Sequence, residues 1–144
     1  MAPRVFRTAF NVRDYECDLQ GIVNNAVYLH YLEHARHQAL KQGGLDFAAL
    51  TAQGLHLVVV RSEVDYKAPL HSGDQFVVRS RLERLSPVRF VFAQDIHREA
   101  PPPGTVVLQA RVVCAAMDAR GRPVRPVALQ TLFGPEPRVT NADA

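Results

Sequence analysis

Cysteine, lysine and long apolar runs are all scarce in this sequence. Cys17 and Cys114 share no metal-ligand spacing, so two reduced thiols are expected rather than a disulfide framework. No stretch approaches the roughly 20 apolar residues that cross a bilayer, and the opening MAPRVFRTAF lacks the apolar core of a secretory signal. A cytoplasmic location without a membrane partner is therefore the default expectation.

The basic residues are spread along the chain and are almost all Arg. Of the 17 Lys and Arg residues, two are Lys (Lys41 and Lys67), which leaves 15 Arg. Arg makes forked contacts with phosphate, which suits a phosphorylated substrate or a nucleic acid, but a bias in genomic composition explains the same ratio more simply. A formal net charge of +3, without aromatic residues interleaved among the basic ones, argues against a nucleic-acid partner.

A chain of 144 residues is long enough for one core, and its composition is 47% hydrophobic. A single domain is expected over residues 1–134, with a frayed tail at residues 135–144 that has nothing to bury. Apolar residues at three-and-four spacing predict a long helix over residues 25–41, and Asp46 is the expected N-cap of a short helix over residues 47–53. Period-two patterns predict strands over residues 4–12, 55–68, 75–85, 88–98, 105–117 and 124–133.

These elements predict an α+β fold. The joints between consecutive strands are short and rich in turn residues, so the strands are expected to pair antiparallel. A sheet with one apolar face and a helix with one apolar face must cover each other. The expected architecture is a curved antiparallel sheet of five to six strands wrapped around one long helix.

One acid lies immediately before the predicted long helix. Asp18 sits in a short loop that closes through Gly21, and Asn24 is the best N-cap candidate. The first N–H groups of a helix lack intrahelical partners, and the summed peptide dipoles place roughly half a positive charge at that end. The sequence thus predicts a carboxylate beside a helix end that can bind an oxyanion.

The residues around this helix start fit a defined entry geometry. Val23 and Tyr28 have the spacing of a hydrophobic staple, which fixes the angle at which the chain enters a helix. The third helical position holds Val27, where a capping box would need Glu or Gln. Because that side-chain partner is missing, the N–H groups near Asn25 are predicted to be available to a ligand.

The segment YECDLQGIVNNAVYLHYLEHAR, residues 15–36, contains the pattern D-x-x-G-x-V-N-N-A-x-Y-L. It resembles the signature of hotdog-fold thioesterases of the 4-hydroxybenzoyl-CoA thioesterase type, in the branch that includes long-chain acyl-CoA and acyl-carrier-protein thioesterases. The order of predicted elements over residues 4–133 is also similar to that of the family, as is the segment VDYKAPLHSGD.

The resemblance implies an acyl-CoA or acyl-carrier-protein thioesterase in which Asp18 is the nucleophile or the general base for water. The backbone N–H of Asn25 would polarise the thioester carbonyl, and Gly21 would shape the loop. Coenzyme A or phosphopantetheine would enter as part of the substrate, with no separate cofactor, and the protein would be a homodimer or homotetramer. Candidate substrate-binding residues are Val23, Asn24, Tyr28 and Glu63.

Several of these residues have simpler explanations. Tyr28 fits a core position as well as an acyl-pocket position, and Glu63 fits an outward strand position near Arg61 better than that of an acid given to an opposing subunit. Solvated strand ends explain three basic residues that would otherwise suit the phosphates of coenzyme A, namely Lys67, Arg89 and Arg98.

Other classes of protein fit the sequence less well than a thioesterase. His30 to His34 spell H-x-x-E-H, the inverted zinc-peptidase motif, but they form the polar stripe of an amphipathic helix, so no metal is expected. A hotdog hydratase or dehydratase fits less well, because the sequence has no His-centred acid/base motif of the kind those enzymes carry. An acyl-thioester-binding protein without activity is the remaining alternative.

Overall fold

The computed structural model describes residues 4–100 and 103–133, apart from the side chain of Ala100. The expected tail at residues 135–144 lies outside the described residues. None of the described helices is long and apolar enough to cross a membrane. The strands are β1 (Phe6–Asn11), β2 (His56–Tyr66), β3 (Gln75–Arg84), β4 (Arg89–Ala100) and β5 (Thr105–Met117), the helices are α1 (Asn25–Gln42) and α2 (Phe47–Ala52), and Asp14–Glu16 and Val127–Leu132 form short 3-10 helices.

The five strands form one antiparallel sheet in the order β1-β3-β4-β5-β2. This confirms the α+β class and the antiparallel pairing, with five strands in the sheet. A tight turn joins the paired strands β3 and β4, in which the Ser86 N–H donates to the Arg89 carbonyl at 3.1 Å. β2 pairs with β5 and not with β3, and the segment between β2 and β3 contains a turn in which the Asp74 N–H donates to the His71 carbonyl at 3.0 Å. Gly73 allows the positive φ of 83° that this turn requires.

The long helix lies on one face of the curved sheet, as predicted. α1 begins at Asn25 and ends one residue later than expected, at Gln42. Its apolar stripe includes Leu32, Ala35 and Ala39, which are at most 1% exposed. Since these small and branched side chains face the sheet, the helix can pack closely on β1 and β3 and bury the core between the layers.

The predicted strand at residues 124–133 is wrong. Residues Val127–Leu132 form a 3-10 helix after Pro126, which has no N–H to give to a ladder. Leu129 and Leu132 are fully buried whereas Val127 is 68% exposed. The spacing of three between the buried leucines matches the three residues per turn of a 3-10 helix, and it does not match the alternation of a strand.

The side chain of Leu132 packs directly against the backbone of Gly43 at the end of α1. A Cβ atom built on Gly43 would lie 2.4 Å from Leu132 Cδ2, so the absence of a side chain at this position lets the 3-10 helix pack directly on α1. The neighbouring Gly44 has a φ of 86°, which ends the helix. The two glycines predicted to end the helix therefore have different reasons to be glycine. Gly43 leaves room for Leu132, and Gly44 adopts a positive φ.

β2 is an edge strand with an exposed surface. It pairs with β5 on one side, and no described strand pairs with its other side. The ladder skips Val60, which marks a bulge between Val59 and Arg61. The exposed fractions of Val58, Val59 and Val60 are 37%, 49% and 42%. A row of three exposed valines on an unpaired edge is typical of a surface that associates with another chain.

Substitution of Gly43 by Ala should lower the free energy of unfolding by about 1–3 kcal/mol, because the new methyl group overpacks the contact with Leu132. Chemical denaturation measures the loss. In a double-mutant cycle with Leu132→Val, the pair should cost less than the sum of the single changes, because the shorter side chain relieves the clash. Strictly additive losses would show that the close approach is unimportant.

Candidate active site

Residues 17–23, which we call the acid loop, form a short hairpin closed by an antiparallel bridge between Cys17 and Val23. Hydrogen bonds within this loop fix the position of the Asp18 carboxylate. The Asp18 carbonyl accepts from the Gly21 N–H at 3.0 Å, and Asp18 Oδ1 accepts from the Gln20 N–H at 2.9 Å. The Asp18 N–H donates to the Ile22 carbonyl at 2.9 Å. Gly21 has a φ of 78°, so this turn favours glycine.

At the start of α1, two of the first three N–H groups are bonded by the N-cap residue and the first one is not. Asn24 is the N-cap: its side chain accepts from the Ala26 N–H at 2.9 Å and its carbonyl from the Val27 N–H at 2.9 Å. The N–H of Asn25 has no acceptor among the described residues. A positively polarised donor is therefore left at the first position of an 18-residue helix.

Asp18 and Asn25 line the same cavity, which we call the Asp18 cavity. Its volume is about 400 Å³. The structure brings Asp18, Val23, Asn25 and Tyr28 together in this lining, as the sequence suggested. Its other lining residues are Ile22, Tyr66, Lys67, Ala68 and Pro69.

The wall opposite the acid loop is tied to the helix through Leu70. The buried Leu70 N–H donates to Tyr28 Oη at 3.0 Å, and the Leu70 carbonyl accepts from the Val23 N–H at 2.9 Å. Burial raises the pKa of the Tyr28 hydroxyl above its ordinary value, so this group is a neutral acceptor. Tyr28 thus belongs to the core and lines the cavity at the same time.

Glu63 and Asn24, two of the predicted substrate-binding residues, lie outside the lining of this cavity. Glu63 is exposed on β2, and its carboxylate is 2.8 Å from the Arg61 guanidinium. Asn24 is occupied as the helix cap.

The three basic residues considered for coenzyme A are dispersed. Lys67 lines the Asp18 cavity, whereas Arg89 is exposed at the start of β4. Arg98 donates to the carbonyl of Pro69 and lies 3.5 Å from the Asp74 carboxylate. Its role is to hold one wall of the cavity rather than to face solvent.

Sequence reasoning missed some residues of the site. The Gln20 side chain, with its amide oriented to donate, reaches Asp18 Oδ2 at 3.0 Å and Oδ1 at 3.1 Å. Tyr66 closes the cavity from β2, with its ring 5.6 Å from that of Tyr28 and its hydroxyl donating to the Asn25 carbonyl at 3.3 Å. No spacing in the sequence points to Tyr66, because it is 41 residues from Asn25.

Two further chemistries find little support near Asp18. Burial and the neighbouring carboxylates of Asp14 and Asp18 raise the pKa of the Cys17 thiol, which weakens it as a nucleophile. Within residues 4–100 and 103–133, no group of three or more His, Cys, Asp or Glu side chains is arranged to hold a metal ion. His30 and His34 of the H-x-x-E-H segment are both exposed on α1.

A five-stranded antiparallel sheet curved around one long helix, with an acid loop at the helix start, defines the hotdog class of fold. The family model of the thioesterase-like superfamily matches residues 12–133. The chain belongs to this superfamily.

Relatives with assigned names agree with this membership. The chain is 36% identical over 123 residues to a chloroplastic acyl-acyl carrier protein thioesterase of Arabidopsis thaliana, a match that covers 85% of this chain and 64% of the relative. It thus spans less than two thirds of that relative's length. It is 32% identical over 114 residues to the long-chain acyl-CoA thioesterase FadM of Escherichia coli, with 79% and 84% covered.

The fold is also similar to solved structures. The dynemicin thioesterase, whose crystal structures concern polyene binding, superimposes with a TM-score of 0.81 at 32% sequence identity. The match covers 90% of this chain and 95% of the other.

Substitution of Tyr28 by Phe should cost about 1–3 kcal/mol of stability, because the buried Leu70 N–H would lose its acceptor. Thermal and chemical unfolding measure this loss. Tyr66→Phe is the matched control: its hydroxyl bond is long, at 3.3 Å, and exposed, so its cost should stay within about 0.5 kcal/mol. Equal losses in the two variants would contradict the assignment of the Tyr28 hydroxyl as the buried acceptor of the Leu70 N–H.

Proposed function

We propose that this protein hydrolyses acyl thioesters of coenzyme A or acyl carrier protein to a free acid and a thiol. One observation carries the proposal: Asp18 and Asn25 line the same cavity, and the Asn25 N–H at the helix start has no acceptor among the described residues. Membership of the thioesterase-like superfamily supports it. Asp18 is the reacting acid, and Asn25 contributes its backbone.

The Asp18 carboxylate can hydrolyse a thioester in either of two ways. As a nucleophile, an Asp18 oxygen attacks the thioester carbon, the C–S bond breaks, and water then cleaves the resulting mixed anhydride. As a general base, Asp18 takes a proton from water, whose oxygen attacks the same carbon; the C–S bond then breaks, and the proton passes from Asp18 to the departing sulfur. In both routes the products are a carboxylic acid and a thiol, and the carboxylate of Asp18 is regenerated.

The remaining requirements of the reaction are modest. The carbonyl oxygen gains negative charge during attack, and the Asn25 N–H donates to it at the positive end of α1, a contribution of about 3 kcal/mol for a well-placed donor. A thiol has a pKa of about 8.5, so it leaves as a thiolate without strong protonation. One acid and one donor are therefore sufficient for this leaving group.

We also propose that two copies associate along β2. The unpaired edge and the exposed Val58, Val59 and Val60 support a second copy of the chain as the partner. Antiparallel pairing of two identical edges forms a closed two-fold dimer and continues the sheet. The Asp18 cavity has Tyr66, the last residue of β2, in its lining, so this association places the cavity near the interface.

Substitution of Asp18 by Asn should reduce kcat/KM for thioester hydrolysis by at least about 100-fold, because the isosteric amide removes the charge and the proton acceptor. Release of free thiol from a panel of acyl-CoA and acyl-carrier-protein substrates measures the rate. Asn retains an oxygen for the Gln20 N–H, so the loop and the melting temperature should be preserved.

Glu83→Gln serves as the control for this change, since Glu83 is an exposed acid on β3, away from the proposed interface, and is absent from the cavity lining. It should leave the rate within about twofold of the original. A fully active Asp18→Asn variant would reject the role of Asp18. Hydration of an enoyl thioester would instead support a hydratase, and retention of ligand without thiol release would support a binding protein.

Lysine substitutions at Val58 and Val60 should convert the dimer to a monomer, because paired edges would then bury like charges. Sedimentation equilibrium at micromolar concentration measures the mass. Val127→Lys changes another exposed valine, on the 3-10 helix, and should leave the mass unchanged. An unsubstituted protein that sediments as a monomer would contradict association along β2.

A further inference from the structure

The hairpin that carries Asp18 occurs a second time in the chain. Residues 117–123 form a hairpin of the same length as the acid loop, and an antiparallel bridge between its first and last residues closes it. The Gly121 N–H donates to the Asp118 carbonyl at 3.0 Å, as the Gly21 N–H does to the Asp18 carbonyl. The φ angles of these two glycines are 79° and 78°. Asp118, which does not line the Asp18 cavity, is therefore an internal comparison for Asp18.

The two hairpins hold their carboxylates differently. Asp118 Oδ1 accepts from two backbone N–H groups, two and four residues further along the chain, at 2.8 and 3.0 Å. Asp18 Oδ1 accepts from the first of these positions, the Gln20 N–H at 2.9 Å, and within the described residues no bond joins it to the second, the Ile22 N–H. Ile22 is paired with the segment after β2 in an antiparallel bridge. The Asp18 carboxylate thus lacks one of the two backbone contacts that orient Asp118.

The side chain of Gln20 supplies a second contact in its place. With its amide oriented to donate, Gln20 Nε2 lies 3.0 Å from Asp18 Oδ2 and 3.1 Å from Oδ1. Arg120 holds the same position in the second hairpin, and in the described part of the chain its guanidinium forms no ion pair with Asp118 within 4.0 Å. The side-chain contact is therefore not required by the turn itself.

This arrangement distinguishes the two oxygens of Asp18. Oδ1 is bound by the backbone of Gln20, which cannot leave without opening the turn. Oδ2 is bound by the end of an exposed side chain, which a water molecule or a substrate can displace. Gln20 does not line the Asp18 cavity, so its amide reaches the carboxylate from outside the cavity. Oδ2 is therefore the oxygen that is free to react.

We propose that Gln20 is a positioning residue, which holds the Asp18 carboxylate in the orientation from which Oδ2 reacts. This inference rests on the proposed thioester hydrolysis and applies to both routes. The terminal torsion of an Asp side chain is intrinsically broad, so a carboxylate with one anchor samples unreactive orientations. Since a misplacement of about 1 Å can cost about 100-fold in rate, a second anchor has a large effect on turnover.

The amide of Gln20 affects the direction of the carboxylate more than its charge. A hydrogen-bond donor weakens a carboxylate as a nucleophile or base. At an exposed position, however, water replaces a lost donor, so the number of hydrogen bonds to the charge changes little. Water does not supply a fixed direction. Removal of the amide should therefore slow the reaction rather than accelerate it.

Gln20→Met keeps the length of the side chain and removes the amide. It should lower kcat for acyl-CoA hydrolysis by about 5- to 50-fold and change KM by less than about twofold, because Gln20 does not line the cavity that receives the substrate. Gln20→Glu should lower kcat further, because an ionised carboxylate has no donor and repels Asp18. An unchanged or higher kcat in Gln20→Met, or a loss that appears only in KM, would overturn the proposal.

The second hairpin offers a matched control. Arg120→Met changes the corresponding exposed residue and should leave kcat and KM within about twofold of the original values. Both single variants should retain the original melting temperature, because neither side chain is buried. Equal losses of kcat in Gln20→Met and Arg120→Met would show a general effect of the substitution and would contradict a specific role of Gln20.

A double variant tests whether Gln20 acts through Asp18. Gln20→Met added to Asp18→Asn should change the residual rate by less than about twofold, because the group that Gln20 positions is already lost. A further loss as large as that of Gln20→Met alone would overturn the proposal.

Crystal structures provide a measurement that requires no turnover. The original protein should show one orientation of the Asp18 carboxylate, and Gln20→Met should show a rotated carboxylate or several orientations. The same single orientation in both would overturn the inference. A fully active Asp18→Asn variant would reject the proposed reaction and this inference with it, whereas an inactive Asp18→Asn beside an unimpaired Gln20→Met would reject the role of Gln20 alone.

Discussion

The backbone N–H and carbonyl of Leu70 hold the candidate site together. Its N–H is bound by the Tyr28 hydroxyl of α1, and its carbonyl by the Val23 N–H at the end of the acid loop. Leu70 itself has no exposed surface. The backbone of one buried residue therefore joins the segment after β2, the loop that carries Asp18 and the first turn of α1, and the cavity exists because these three segments are fixed at this spacing.

Local chemistry near the helix start was predictable from the sequence. The N-cap at Asn24, the turn at Gly21 and the open N–H of Asn25 depend on residues within a few positions of each other, so spacing alone indicates them. The ends of α1 and β5 follow from periodicity for the same reason. A pattern of buried leucines three apart was misassigned as a strand because Pro126 and the closeness of Gly43 to Leu132 decide that segment.

Longer-range contacts were not accessible from the sequence. Tyr66 closes the Asp18 cavity across 41 residues, and Gln94 meets Arg36 across 58. Arg36 lines a gap between α1 and the beginning of β2, which only the arrangement of the sheet defines. The residues around position 36 would suit a solvent-exposed helix face equally well. The sequence near Arg36 therefore does not show whether its side chain lies on the surface or in a cavity.

The packing of Leu129 and Leu132 under the end of α1 has a consequence for folding during synthesis. These leucines belong to the core cluster that includes Ala39 and Leu40, yet they come after every strand of the sheet. Until residues 127–132 have been released from the ribosome, the far half of α1 can pack on the sheet but lacks its contacts with Leu129 and Leu132. The core would therefore be completed only in the last stage of synthesis, and the cooperative native state would form only then.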